Sequence, residues 1–561
     1  MEPLRKHEKL LLIGLLLSAL LIRVLLISSL EDKPYFHKPV VDSAAYDEWG
    51  QRIAEGELTS SGAFYQDPLY PYFLGGAYAL FGHDLFVVRL LQAVIGVLGC
   101  WFLFAAGRRL AGTSVALVAL GIVAFYKPFL FYDTALLKEW LAVVLVEALL
   151  YFLTIRKPSG WLASGIALGF GVLVRANLLL FGGALVITLL LRKEIRSAAL
   201  VAGGMIISIA PATIHNGVAE KEFILTTYQL GPNLYIGNHT GNNTGRYVPP
   251  PFLTTAAPGF EERDFRAEAE RAKGRTLSPS EISDHYVSRT WTEFEAGRFL
   301  KVTGRRLLEY INNYEVPDNY HYDFMQRFSW VLRIPFPGFW LLALFAPMGI
   351  LFAWRERSKW KELYLFLPLY YLSIIGFFVF ARYRLPVIPV LILFAALGIV
   401  ELVKRVREKK VPWGPVVVGA LFLVISLLPI GRRDFNVAHY NLALHYFEND
   451  QPAKAAGELE FVRDIKQPQW VYLRGLAYEK ASIPDRALEA FYEAAELDPQ
   501  SAEAAYHLGL SYRANGDPRE ALRWFREARK RAPNHLEAAL EIGRIYIERG
   551  EWTRAEEVLS L

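Results

Sequence analysis

The chain has 561 residues, 53% of them hydrophobic and 21% charged, with 61 Lys and Arg against 56 Asp and Glu for a formal charge of +5. That share of charge is too high for a chain lying wholly in a bilayer, so the charges must be segregated along it. A net charge this modest, gathered in clusters that membrane topology explains, gives no ground for a nucleic-acid partner.

Apolar runs of roughly 17 to 25 residues cross a bilayer as helices. About eleven such runs are predicted, near residues 9–29, 85–106, 111–127, 134–154, 160–174, 176–191, 197–214, 338–354, 362–380, 385–403 and 412–430. The two that flank Arg175 are short and also fit one long broken segment. Lys and Arg favour the cytoplasmic ends of short connections. They gather at Arg5, Lys6 and Lys9, then at Arg108 with Arg109, Arg156 with Lys157, and Arg192 and Lys193 with Arg196, and later from Arg355 to Lys361 and from Lys404 to Lys410. This alternation predicts a cytoplasmic N-terminus, an odd number of spans and a C-terminal region on the outer side. The first run starts like a signal peptide but is too long, and Ile27-Ser-Ser-Leu-Glu31 is a poor cleavage site, so a retained anchor is expected. The lone Cys100 excludes an internal disulfide.

The first outer loop, about residues 30–84, carries Asp42-Ser-Ala-Ala-Tyr46-Asp47-Glu48 and then Asp67-Pro-Leu-Tyr-Pro71. Residues 43–55 are predicted as an interfacial helix whose stripe at 46, 49, 50 and 53 leaves Asp47 and Glu48 off the buried side. A solvated face is the plainer reading of those two, and a helix N-cap the plainer reading of Asp42. Lys138 and Glu139 begin the fourth run close to Asp133, Arg175 and Asn177 fall at the turn between the fifth and sixth, and Arg89 lies just inside the second. Snorkelling or pairing between helices competes with a pocket role for each.

The second outer segment, about 215–337, is too long for a simple connection. Its Gly/Asn-rich stretch Gly231-Pro-Asn233-Leu-Tyr-Ile-Gly237-Asn238 reads as a turn that lets backbone approach a ligand. Ser278-Pro-Ser-Glu281 has capping-box spacing and predicts a helix to about Arg298, with another over Lys301 to Tyr310. The return path, Asn312-Asn-Tyr-Glu315-Val-Pro317-Asp318-Asn319, brings a second set of acidic and amide groups to the interface. Glycan sequons at Asn238-His-Thr240 and Asn242-Asn-Thr244 carry meaning only outside a bacterial host. Arg382-Tyr383-Arg384-Leu-Pro386 opens a late span on the same side. Both arginines address one headgroup if that segment is extended, and diverge by about 200° if it is helical.

From about Asp434 onward the chain repeats. Gly475, Tyr478, Ala487, Phe491, Ala494 and Pro499 recur 34 residues later as Gly509, Tyr512, Ala521, Phe525, Ala528 and Pro533, and Gly543, Tyr546 and Ala555 begin a third copy. This spacing resembles tetratricopeptide repeats, with an imperfect copy over Tyr440 to Leu459. Such an α-solenoid offers a concave surface for a protein partner, or serves as a rigid spacer.

The order of features resembles the GT-C membrane glycosyltransferases, especially the branch of protein O-mannosyltransferases and aminoarabinose transferases. The resemblance rests on the loop from Asp42 to Glu48, on Pro68-Leu-Tyr-Pro71 leading to Leu80-Phe-Gly82, on Arg382-Tyr-Arg384-Leu-Pro386 and, more weakly, on Leu168-Gly-Phe-Gly171-Val-Leu-Val-Arg175. It covers roughly residues 8–430. The implied architecture is an α-helical polytopic membrane protein with a transferase domain over 1–430 and an outer repeat domain over 434–561. The implied activity is transfer of a sugar from a polyprenyl-phosphate carrier to a protein, lipid or glycan acceptor at the outer face of a bacterial inner membrane.

Such a donor is a phosphodiester that leaves as a monoester, and the growing charge calls for guanidinium groups. Arg382 and Arg384, with Arg384 slightly preferred, are expected to hold the phosphate, joined by Arg175 and Lys138. Asp42 is the expected base or charge-stabilising carboxylate, with Asp47 and Glu48 as alternates. Tyr46, Asp67, Glu139, Asn233, Asn238, Glu315, Asn319 and Tyr383 are expected to line the pocket. No cofactor is assigned. His83, His215, His239, His285 and His321 lack paired ligand spacing, and a divalent ion held by Asp42 with another carboxylate stays open, above all for a diphosphate carrier. A transporter would show repeated halves and mid-membrane charges, and a scaffold leaves the polar interface unexplained. A polymerase or ligase acting on lipid-linked glycans is the competing enzyme.

Overall fold

The structure, a computed structural model, describes residues 3–253, 258–430 and 434–560. It divides into two compact units, 1–432 and 433–561, and every regular element among the described residues is helical. In the first unit an α-helix forms at each of the eleven expected apolar runs. Five helices, Lys6–Leu30, Leu85–Ala111, Ile195–Glu220, Phe339–Glu356 and Ala381–Arg407, are long and apolar enough to cross a membrane alone. Thr113–Phe125 and Lys127–Thr134 make a sixth if taken together, bent by 50° at a break where Tyr126 caps the second piece and Pro128 lies in its first turn. The helices at the other runs, Glu139–Leu153, Pro158–Val172, Leu178–Leu191, Lys361–Ile375 and Trp413–Ser426, have only 14 or 15 residues.

Lipid tails are as apolar as leucine, so membrane helices associate by close packing, which small residues permit. Gly349 and Gly398 let Phe339–Ala353 meet Ile388–Arg407 backbone to backbone: a Cβ on Gly349 would lie 1.7 Å from the Phe394 carbonyl oxygen.

The first-loop helix runs Asp42–Ala54 and buries Tyr46, Gly50 and Ile53, as the stripe predicts. Tyr46 sets its ring edge-on to Tyr70 of the helix Leu69–Phe81, centroids 5.5 Å apart. Asp42 is the first helical residue, not the cap: the N-cap is Val41. Ser278 forms the expected capping box with Glu281, and its helix, Pro279–Thr292, stops short of Arg298 because the chain turns extended at Glu295 before Ala296–Tyr310. The stretch expected as a turn is instead the helix Leu230–Asn238, where a Cβ on Gly231 would meet the Ser283 carbonyl oxygen at 2.0 Å. The glycine serves helix packing, not turn geometry.

The second unit is built of helix pairs: Asn436–Glu448 with Pro452–Glu460, Pro468–Lys480 with Pro484–Leu497, Ala502–Ala514 with Pro518–Arg531, and Leu536–Glu548 with Trp552–Leu559. The repeat period has a direct cause in packing. A Cβ on Gly475 would lie 2.5 Å from the Phe491 ring, and on Gly509 2.6 Å from the Phe525 ring, so glycine admits the aromatic of the partner helix. Gly509→Ala is therefore expected to destabilise its repeat by about 1–3 kcal/mol through overpacking, whereas Gly457→Ala, with open space around it, should be neutral or mildly stabilising. Hydrogen exchange of the full-length protein checks this: protection over 502–531 should fall in the first variant only.

Candidate active site

The helix Asp42–Ala54, the segment 311–337, the start of Glu139–Leu153, the turn at Arg175 and the 3-10 helix Ala381–Val387 meet around Arg382. Arg382 Nη1 donates to Asp42 Oδ2 at 2.8 Å and lies 3.6 Å from Glu139 Oε1, and its Nε side contacts the Asp318 carboxylate. Arg175 Nη2 donates to Glu139 Oε1 at 2.5 Å, with its guanidinium over the Tyr383 ring at 4.3 Å. The Lys138 ammonium pairs with Asp67.

These groups line one cavity of about 940 Å³. Its charged end holds Asp42, Asp67, Lys138, Glu139, Arg175, Asp318, Asn319 and Arg382. Its other wall is apolar, formed by Leu179, Leu180, Ile187, Leu230, Ile374 and Phe377. Tyr46, Asn233 and Tyr383 also face this space.

Burial opposes the Asp42 carboxylate, yet the Arg382 charge and hydrogen bond, helped by the Asn319 side chain and Lys138, hold its pKa below the ordinary value. Asp318 is pushed up to about 7, because burial and the charges of Asp42 and Glu139 outweigh the attraction of Arg382 and Arg175. Glu261, from the helix Pro258–Lys273, reaches the same cavity and accepts from the Tyr65 hydroxyl at 2.9 Å and the Tyr247 hydroxyl at 3.0 Å. Its burial takes it to about 7 despite these bonds. Among the described residues no three His, Cys, Asp or Glu side chains are grouped to hold a metal ion.

Several expected pocket residues lie elsewhere. Arg384, preferred over Arg382 for the phosphate, is turned away because residues 381–387 are a 3-10 helix and not an extended strand. Its Nη2 donates to Glu315 Oε1 at 2.5 Å and its Nη1 to the carbonyls of Asn312 and Tyr310, over the Phe339 ring. Arg384 and Glu315 thus form a buried pair outside the cavity. Asp47, expected off the buried side, is buried and accepts from the Tyr78 hydroxyl at 2.5 Å, with His83 Nε2 at 2.9 Å. Glu48 is exposed. Asn238 lines a separate cavity of about 220 Å³ and donates to the Leu234 and Gly376 carbonyls. Asp133 pairs with Arg23 of the first helix at 2.6 Å, and Arg89 donates to the Thr134, Leu85 and Phe36 carbonyls. Asp318 and Glu261 were not singled out by sequence reading. The one sequence signal for Asp318 was its place in the acidic and amide return path.

Residues 66–215 match the family model of dolichyl-phosphate-mannose-protein mannosyltransferases, and residues 440–502 and 506–561 match a tetratricopeptide-repeat model. The mannosyltransferase-family match takes in Asp67, Lys138, Glu139 and Arg175 and stops short of Asp42, Asp318 and Arg382 on either side. Among solved structures, the archaeal oligosaccharyltransferase AglB from Archaeoglobus fulgidus, in complex with an inhibitory peptide and a dolichol-phosphate, is 13% identical with a TM-score of 0.39, over 78% of this chain and 58% of that one. MamA is 19% identical with a TM-score of 0.22, over 28% of this chain and 89% of that one. The MamA fragment from Desulfovibrio magneticus RS-1 is 16% identical with a TM-score of 0.17, over 23% and 94%. No curated protein sequence matches the chain.

The Arg384–Glu315 pair yields a test of its structural role. Arg384→Met leaves Glu315 buried without its partner and is expected to lower stability by about 3–5 kcal/mol, with much of the loss recovered when Glu315→Gln is added. Thermal unfolding of the four proteins in detergent gives the comparison, and a wild-type melting temperature for Arg384→Met would exclude the assignment.

Proposed function

We propose that this protein transfers a sugar from a polyprenyl-phosphate donor to an acceptor hydroxyl at the extracytoplasmic face of the membrane. The supporting observation is the double character of one cavity, whose charged end continues into an apolar wall on the helix Leu178–Leu191. A lipid-linked sugar has this same division, a polar headgroup on a hydrocarbon tail. A water-soluble nucleotide sugar has no use for the apolar wall. The basic connections support the extracytoplasmic placement, because the positive-inside rule puts them on the cytoplasmic side and the cavity lies at the other ends of the helices.

In this reading Arg382 and Arg175 take the phosphate oxygens, with Lys138 beside them. Charge-assisted bonds from two guanidinium groups stabilise the leaving phosphate more than the bound diester, because its charge grows as the bond to the sugar breaks. Asp42 stays ionised and faces the sugar carbon as positive charge develops there. The acceptor comes from the side of Asn233, Tyr247 and Glu261. The repeat unit is the surface for a protein partner.

Membranes carrying the protein should convert a defined polyprenyl-monophosphate sugar to product, read by mass spectrometry, and leave a nucleotide sugar untouched. Asp42→Asn is expected to lower the rate by about 100-fold or more, with the melting temperature showing whether the fold is kept. Transfer at the wild-type rate by a folded Asp42→Asn protein would overturn the assignment. Preference for a diphosphate donor would favour the glycan polymerase or ligase reading.

A further inference from the structure

A helix on the surface of a water-soluble domain turns its apolar side inward and its charges outward. The helix Ala296–Tyr310 does the reverse. Its inner side carries Val302, Arg306, Glu309 and Tyr310, all buried, with Arg306 donating to the Gly237 and Ile375 carbonyls and Glu309 accepting from Arg246 Nε at 3.0 Å. Leu300, Leu307 and Leu308 fall on the outer side at helical spacing and are exposed, Leu300 by 70%. Among them a Cβ on Gly304 would meet nothing within 4 Å. Lys301 and Arg305 stand exposed along one edge of this apolar side.

The level at which this helix lies is fixed by what its last turn touches. The Tyr371 hydroxyl, near the end of Lys361–Ile375, donates to the Leu307 carbonyl at 3.1 Å, and the Tyr310 and Tyr371 rings meet edge-on with centroids 4.4 Å apart. Just past the helix, the Asn313 amide donates to the Ser426 carbonyl at 2.7 Å and Asn312 Nδ2 to the Leu428 carbonyl at 2.8 Å, at the end of Trp413–Ser426. Asn313 Oδ1 accepts from the Trp340 amide at 2.9 Å, where Phe339–Ala353 begins. Trp340 is exposed, and tryptophan gathers where spans leave the hydrocarbon. Leu372, Val424 and Leu427 are exposed on the helices that receive these bonds or just beyond them. The apolar side of Ala296–Tyr310 thus continues the apolar surface of the membrane helices at one interface. It is the interface of the candidate active site, since Ser373 and Ile374 line that cavity.

We infer that Ala296–Tyr310 is seated in the bilayer leaflet on the side of the candidate active site, and that phospholipid there anchors the segment returning over the cavity. The leucines enter the boundary of the acyl chains, where amphipathic helices lie about 5–10 Å deep. Lys301 and Arg305 lay their stems along this surface and put their charges among the headgroup phosphates. Trp291 and Phe294, exposed at the end of Pro279–Thr292 and just past it with ring centroids 5.5 Å apart, add aromatic anchors. What the anchor holds follows directly in the chain: the carbonyls of Tyr310 and Asn312 accept from Arg384, and Asp318 and Asn319 line the cavity. This anchoring stands on exposure and packing and is independent of the transfer reaction.

Full-length protein with Cys100→Ala and one of Leu300→Cys, Gly304→Cys, Leu307→Cys or Leu308→Cys is spin-labelled in nanodiscs of phosphatidylcholine and phosphatidylglycerol, with Glu503→Cys of the repeat unit as the aqueous reference. Collision of each label with molecular oxygen and with a water-soluble nickel chelate is read by power-saturation EPR. The oxygen-to-nickel ratio at all four positions is expected to be several-fold above the reference. A ratio equal to the reference would place this side in water, and low access to both reagents would place it against protein; either result overturns the inference. The anchoring role has its own readout, amide exchange in the same nanodiscs. Leu300→Glu with Leu307→Glu puts two carboxylates at the acyl boundary, and exchange over 311–319 should quicken by about 10-fold or more while 502–531 keeps its wild-type rate. Wild-type exchange over 311–319 in that variant would overturn the anchoring, and the labels decide the seating where the double variant fails to fold. Absence of transfer from a lipid-phosphate donor would sink the proposed reaction and leave these readouts unchanged.

Discussion

A buried guanidinium holds this site together. Arg382 is almost completely removed from solvent and is surrounded by the carboxylates of Asp42, Glu139 and Asp318. Each comes from a different stretch of chain, the first separated from Arg382 by 340 residues. Burying an ion is costly, and the loss is made good only where partners are close and well oriented. Every segment that supplies a partner is thereby fixed in place: the helix after the first span, the start of Glu139–Leu153 and the return of the long second segment. Removing one carboxylate does more than delete a contact, because it leaves the others competing for one cation in a medium of low polarity.

How much of this was legible beforehand depended on the kind of information each residue carried. The apolar runs announced their helices because composition alone determines them, although crossing is another matter, and the shorter helices need partners that hydropathy does not reveal. The 34-residue repeat was readable because a glycine answers a bulky side chain of the partner helix, Gly475 to Phe491, Gly509 to Phe525 and Gly543 to Leu559, a local constraint. Asp42 could be set against the segment of Arg382 and Arg384 in advance by sidedness and order. Arg384 could not be told from Arg382, since an extended segment and a 3-10 helix share a sequence and differ only in where the second guanidinium points. The stripe of Asp42–Ala54 leaves Asp47 exposed because its partners lie outside that helix, Tyr78 on Leu69–Phe81 and His83 in the turn that follows. Asp318 and Glu261 gain their character from burial and from neighbours far away in the chain, which spacing does not encode.

The charge balance of the cavity has a further consequence for what it can receive. Among the described residues its lining offers five carboxylates, Asp42, Asp67, Glu139, Glu261 and Asp318, against three cations, Lys138, Arg175 and Arg382. Fully ionised, it would repel a phosphate. The two carboxyls with pKa near 7, Asp318 and Glu261, are the ones that can carry protons at neutral pH, and with both protonated the remaining charges balance. A phosphate that takes a share of Arg382 weakens the hold of that guanidinium on Asp318 and raises the proton affinity of the carboxyl. Anion binding and the protonation of Asp318 are then coupled through one side chain.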